Sequence, residues 1–142
     1  MEVKEQIKLT FHGVDIFSVQ FASESPLDRN KNIDLNIVPK VFYPSDSPSE
    51  FKIIFETIVK ADGFFNLSLQ AVGHFSLEKD VDEKVKKSFV NANAPAIMFP
   101  YVRSFITTLT SNLGTATGPI VLPPHFFTGQ LEEVVTEDNS AK

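Results

Sequence analysis

Between Phe65 and Glu78 every second position is apolar or small: Phe65, Leu67, Leu69, Ala71, Gly73, Phe75 and Leu77 alternate with Asn66, Ser68, Gln70, His74 and Ser76. Side chains of an extended chain point alternately to opposite faces. A period of two therefore predicts a strand of an antiparallel sheet with one face buried and the other wet. Just upstream, Phe51, Ile53, Phe55, Thr57 and Val59 share one parity. Asp62-Gly63 separates the two runs, and that dipeptide suits the positive φ of a tight turn, so the pair reads as a hairpin.

Two further strands precede the hairpin. Ile33, Leu35, Ile37, Val41 and Tyr43 alternate, with Pro39 marking a bulge or an edge because it lacks an N–H for a ladder bond. In the opening run, Ile7, Leu9 and Phe11 share one parity, Val14 and Ile16 the other, and Phe17, Val19 and Phe21 return to the first. A bulge at Gly13 in one long strand accounts for the change of phase. The Ser-, Pro-, Asp- and Asn-rich stretches 24–32 and 44–50 read as loops.

The pattern then becomes helical. Asp80 with Glu83 three residues on resembles a capping box ahead of Val81, Val85 and Phe89. Asn93 is placed to cap a second helix, with Pro95 in its first turn and Gly114 closing it. Met98, Val102, Phe105 and Leu109 form a stripe that Ile97, Tyr101 and Ile106 widen. So broad a stripe predicts burial on two sides, one of them against another subunit. Pro100 inside this helix predicts a kink or a lost hydrogen bond. Ile120 to Pro124 must be extended, since Pro123 and Pro124 forbid a helix there. Phe127, Leu131 and Val135, four apart, predict a short final helix. Residues 1–136 read as one domain and 137–142 as a frayed polar tail.

Composition narrows the function classes. Fourteen Phe, no Trp and two Tyr give an aromatic content almost without polar handles, suited to a core or to unspecific apolar contact. A net charge of −5 with no basic cluster argues against nucleic acid as a partner. The absence of cysteine removes disulfides, thiolate catalysis and thiolate metal sites. His12, His74 and His125 are far apart, and no metal motif, phosphate cradle or nucleophile elbow is present, so no enzyme activity, metal or cofactor is expected. Asp80, Asp82 and Glu83 complement a helix dipole, and Arg103 reads as a rim or ion-pair residue. The charged start Met1 to Glu5 and the lack of any run of about 20 apolar residues predict a soluble, cytoplasmic protein without membrane insertion.

From Pro95 the chain resembles a known family. Pro95-Ala96-Ile97-Met98-Phe99-Pro100-Tyr101-Val102-Arg103, with Ile106-Thr107 and Ser111 after it, is similar to the hallmark helix of SecB, the bacterial protein-export chaperone. Leu122-Pro123-Pro124-His125-Phe126 and, upstream, Phe75-Ser76-Leu77 also resemble that family's segments. The resemblance implies an α+β fold: a four-stranded antiparallel sheet with a long kinked helix and a short C-terminal helix on one face. It implies homo-oligomers, dimers pairing into tetramers through the long helices, with Met98, Tyr101, Val102 and Leu109 as interface candidates. It also implies an ATP-independent holdase whose partners are unfolded or preprotein chains, gripped in apolar grooves. Ile120, Leu122, Phe126, Phe127 and Leu131 are the groove candidates by motif position, and Phe99, Phe105 and Ile106 line the groove or the subunit contact.

The family also docks on the translocase motor ATPase, through acidic residues on the exposed sheet face and a C-terminal tail. Here that face offers Ser18, Gln20, Ala22, Ser68 and Gln70, and the tail keeps Glu132, Glu133, Glu137 and Asp138. The alternative is a SecB-like interaction protein dedicated to one partner, such as an antitoxin.

Overall fold

The structure, a computed structural model, describes residues 9–78, 81–124 and 130–134. Its sheet contains β1 (Leu9–Ser23), β2 (Asp34–Phe42), β3 (Glu50–Ala61), β4 (Phe65–Leu77) and β5 (Glu132–Val134), in the order β1-β4-β3-β2-β5. The hairpin expected from the alternating runs is β3–β4, in unbroken register from Glu50↔Ser76 to Ala61↔Phe65. Gly63 turns it with φ +83, and the Phe64 N–H closes the turn on the Ala61 carbonyl at 2.9 Å.

β1 runs antiparallel to β4 with two register shifts, one between Phe11 and Gly13 and one between Phe17 and Gln20. The first is the expected bulge, with Gly13 at φ +124. The second holds Ser18 at φ +54, and it moves the return of phase beyond Phe17. Phe17 therefore pairs with Gln70 and shares the parity of the outer face, while Val14, Ile16 and Phe21 join the core. Pro39 causes no bulge in the even β2–β3 register; it sits on the sheet's margin, next to where β5 begins to pair.

β5 is the fifth strand, parallel to β2 over Lys40↔Glu132 to Phe42↔Val134. The expected final helix is thus replaced by a strand across Glu132–Val134; its other marks, Phe127 and Val135, lie outside the described residues. Positions four apart share a face in a strand as well as in a helix, so the spacing was ambiguous. The open backbone of Lys40–Phe42 decided the outcome by offering ladder bonds.

Two helices cross the other side of the chain's path: α1 (Glu83–Ser88) and α2 (Ala94–Ser111), joined by a π turn over Phe89–Asn93. Asn93 is consequently helical (φ −70, ψ −48), not a cap, and the Ala94 N–H reaches back five residues to the Phe89 carbonyl. Pro95 gives the reason. It has no N–H for the Asn91 carbonyl four residues back and its ring crowds that carbonyl, a conflict that a widened turn relieves. The Asn91 side chain uses the distortion: its amide donates to the Lys87 carbonyl at 2.8 Å and its oxygen accepts the Leu131 N–H at 2.7 Å, tying the approach to β5 onto the helix. Asp80 of the expected capping box lies outside the described residues.

The core lies between α2 and the odd-numbered face of β3 and β4. Phe51 stacks on Phe75 with centroids 5.3 Å apart, and Phe11 packs on both Phe75 and Tyr101 at 5.2 Å. Gly73 is the seat for Met98: a Cβ there would stand 2.8 Å from the Met98 sulfur. The opposite face is drier than alternation predicts, because Ile54, Gln70 and Val72 are buried on it.

Candidate functional site

The segment after α2 returns across it in extended form, since Pro119, Pro123 and Pro124 exclude a helix. A segment outside both helix and sheet must find other partners for its backbone. Here α2 side chains supply them. Arg103 Nε donates to the Leu122 carbonyl at 2.8 Å, Thr107 Oγ1 donates to the Ile120 carbonyl at 2.8 Å, and the Ile120 N–H donates to Thr110 Oγ1 at 2.9 Å. Thr110 Oγ1 in turn donates a hydrogen bond to the Ile106 carbonyl at 2.7 Å. The geometry is commensurate: four helical residues rise about 6 Å, and two extended residues advance about 6.6 Å. Helix positions 103 and 107 thus meet carbonyls 122 and 120 in antiparallel order.

This ladder presses Ile120 and Leu122 into the core and leaves Val121 outside, 69% exposed. Ile106, Phe99, Ile120, Leu122 and Leu131 are all buried in one apolar cluster, so five of the eight groove candidates come together there. Phe105 is half-buried against that cluster; Phe126 and Phe127 lie outside the described residues.

The interface candidates divide. Met98 and Val102 are fully buried within the protomer's own core, on the same helical series as buried Ile106, with Met98 packed on Gly73. Tyr101 is 54% exposed, Ile97 is exposed beside it at helical spacing, and Leu109 is half-buried. The second side of the wide stripe is therefore Ile97–Tyr101. It borders β1, which has no strand on its outer side among the described residues.

Beside Leu131 a cleft of about 200 Å³ opens between β2, α1 and β5, lined by Tyr43, Glu83, Lys86, Asn91 and Glu133. Lys86 Nζ lies 4.8 Å from the Tyr43 ring centre. Burial, with smaller contributions from Glu133 and Glu83, raises the Tyr43 hydroxyl pKa above its usual 10.0. Among the described residues no three potential ligands gather around one metal position. His12 Nε2 lies 2.8 Å from Ser76 Oγ, but the carboxylate that would orient such a base, Asp15, pairs with His74 instead.

A family profile described as preprotein translocase subunit SecB matches residues 18–129. The chain belongs to the SecB family. Among relatives, it is 28% identical to an uncharacterized protein of Methanocaldococcus jannaschii, over all of this chain and 96% of the other. It is 32% identical over 90 residues to the protein-export protein SecB of Anaplasma phagocytophilum, where the match spans 61% of this chain and 55% of that one. The chain thus matches about half the length of that named SecB. In structure it is similar to the Mycobacterium tuberculosis SecB-like chaperone, solved in complex with a ChAD peptide from the HigA1 antitoxin. The TM-score is 0.66 at 15% identity, covering 82% of this chain and 87% of that one. A Streptococcus agalactiae protein of unknown function gives a TM-score of 0.53 at 7% identity. At such identities these likenesses establish the fold.

The SecB-like motif now acquires a physical reading. Its Arg103 and Thr107 are the donors that hold the crossover segment, and its Ile106 is buried in the same cluster as Ile120 and Leu122. Sequence reasoning missed this role. The signal was three polar residues at 103, 107 and 110, on one face of the most apolar helix, followed by a proline-rich segment whose carbonyls need donors. Among the described residues no helix is long and apolar enough to cross a membrane.

Proposed function

We propose that this chain is a holdase: it binds unfolded or incompletely folded polypeptides in an apolar groove without using ATP or any cofactor. Membership of the SecB family over most of the chain carries the reading. The fold shared with a chaperone seen holding a peptide supports it, as does the joining of the extended segment's Ile120 and Leu122 to the apolar core. Phe99, Phe105, Ile106 and Leu131 form the client side, with Ile120 and Leu122 lying against it, and the family motif assigns Phe126 and Phe127 to the same groove. Burying a client Leu or Phe there contributes roughly 1.5–3 kcal/mol, enough for several weak contacts to add up to useful affinity. The protein works in the cytoplasm as a homo-oligomer, dimeric or tetrameric, joined along Tyr101, Leu109 and Ile97.

A second reading is a dedicated partner in place of general clients or the translocase motor ATPase. It is favoured by the outer sheet face, where Ser68 is uncharged, Gln70 is buried, and the acidic Asp15 and Glu56 are engaged by His74 and Lys40. The test combines native mass with an aggregation assay. A tetramer that slows aggregation of an unfolded client at stoichiometric amounts supports the holdase. A protein that protects no unfolded client, yet captures one abundant partner from its own cell extract, selects the second reading.

A further inference from the structure

The polar ladder on α2 contacts only backbone atoms of the crossover segment. Arg103 and Thr107 donate to carbonyls, Thr110 accepts an N–H, and the side chains of Ile120 and Leu122 contribute only apolar volume. Nothing in these contacts depends on the identity of residues 120–122 beyond two aliphatic side chains spaced two apart. We infer that this face of α2 is a reader of extended polypeptide, that residues 118–124 are its resident occupant, and that a client segment of the same chemistry binds by displacing them. The inference rests on the holdase reading and deepens it by naming the binding face and its competitor.

Three observations support displacement over binding alongside. First, the α2 side chains that would grip a client are already covered: Phe99 and Ile106 are each at most 4% exposed, which leaves little apolar surface for a client while the segment is seated. Second, the segment makes no strand pairing. Its attachment near the ladder is a set of separate side-chain bonds, each replaceable by the same bond to another backbone. Third, glycines at positive φ flank its near end, Gly114 at φ +66 and Gly118 at φ +63, and supply hinge points outside the ordinary range of L-residues. An occupant with aliphatic residues at alternate positions and no charge between them fits; a helix or a charged peptide does not.

The expected cost of displacement appears as a reduced apparent affinity, because the competent state is only fractionally populated. The probe is a fluorescein-labelled synthetic peptide with the sequence of residues 117–124, followed by anisotropy on the full chain. Ile120→Ser with Leu122→Ser weakens the resident without touching α2 and should tighten peptide binding by about tenfold or more over the unaltered chain. Adding Thr107→Val and Arg103→Leu should cancel that gain. Equal affinity for the unaltered chain and the serine variant, or a gain that survives loss of the ladder donors, overturns the inference. Should the serine variant fail to fold, hydrogen exchange on the unaltered chain decides. An unfolded client must speed exchange at the Ile120 amide, and unchanged protection there overturns the displacement. Aggregation assays separate the two proposals: a chain that protects clients while Ile120 stays protected is a holdase that binds elsewhere. One that binds the peptide but protects nothing is a peptide reader without holdase activity.

Discussion

The β3–β4 hairpin and the crossover segment 118–124 are both extended chain laid against the same core, yet they are held in opposite ways. The hairpin is held by its own backbone, in an unbroken register of twelve pairs. The crossover is held by α2 side chains, through a ladder of three bonds from residues 103, 107 and 110. A backbone ladder survives almost any substitution that keeps the pattern. A side-chain ladder is written elsewhere in the chain, and single substitutions remove its rungs.

The difference predicts how each region fails. Phe75→Ala empties the centre of the ring cluster with Phe51 and Phe11, and should cost about 3–5 kcal/mol by urea denaturation. Gly73→Val drives a side chain into the Met98 sulfur and should cost about 1–3 kcal/mol; Met98→Ala made with it should recover part of the loss if that contact is the cause. Thr107→Val keeps shape but strands the Ile120 carbonyl, for about 1–2 kcal/mol. The hairpin amides should keep their protection in that variant while Ile120 loses it; uniform loss would mean that the two regions open together. Asn91→Ala should free the Leu131 amide to exchange, with about 1 kcal/mol or less of global change.

The smallest effect is a titration. The Tyr43 hydroxyl has a folded pKa above its unfolded 10.0, so the folded state resists ionisation. Its contribution is complete below pH 10 and is lost as pH rises from there through the folded value. Tyr43→Phe should flatten that alkaline decline; an identical slope in both proteins would exclude Tyr43 as its source.

What the sequence made legible follows the same division. The strands, the Gly13 bulge and the hairpin were readable because period two and a turn dipeptide are local signals. The bulge at Ser18 was not, since no glycine marks it and its consequence appears only in the register with β4. Asn93 carried a capping residue's chemistry, but Pro95 two residues on is served by a π turn inside a continuing helix. Of the site, the apolar members were legible from the motif. The ladder donors were not, because Arg103 and Thr107 acquire their role only when the crossover's carbonyls are brought to them. Met98 and Val102 were assigned outward because a stripe's width does not say which side meets the sheet; Gly73, across the fold, decides that.

β5 has a consequence in time. Its partner on the sheet, Lys40–Phe42, lies about 90 residues earlier in the chain. Closing a loop that long is slow and gains only three paired positions, so β5 adds last to a sheet already formed by its four antiparallel strands. During synthesis the β2 margin therefore stays bare until Glu132–Val134 has left the ribosome. For that interval Pro39 and the Lys40–Glu56 ion pair guard it against adhesion to other nascent chains.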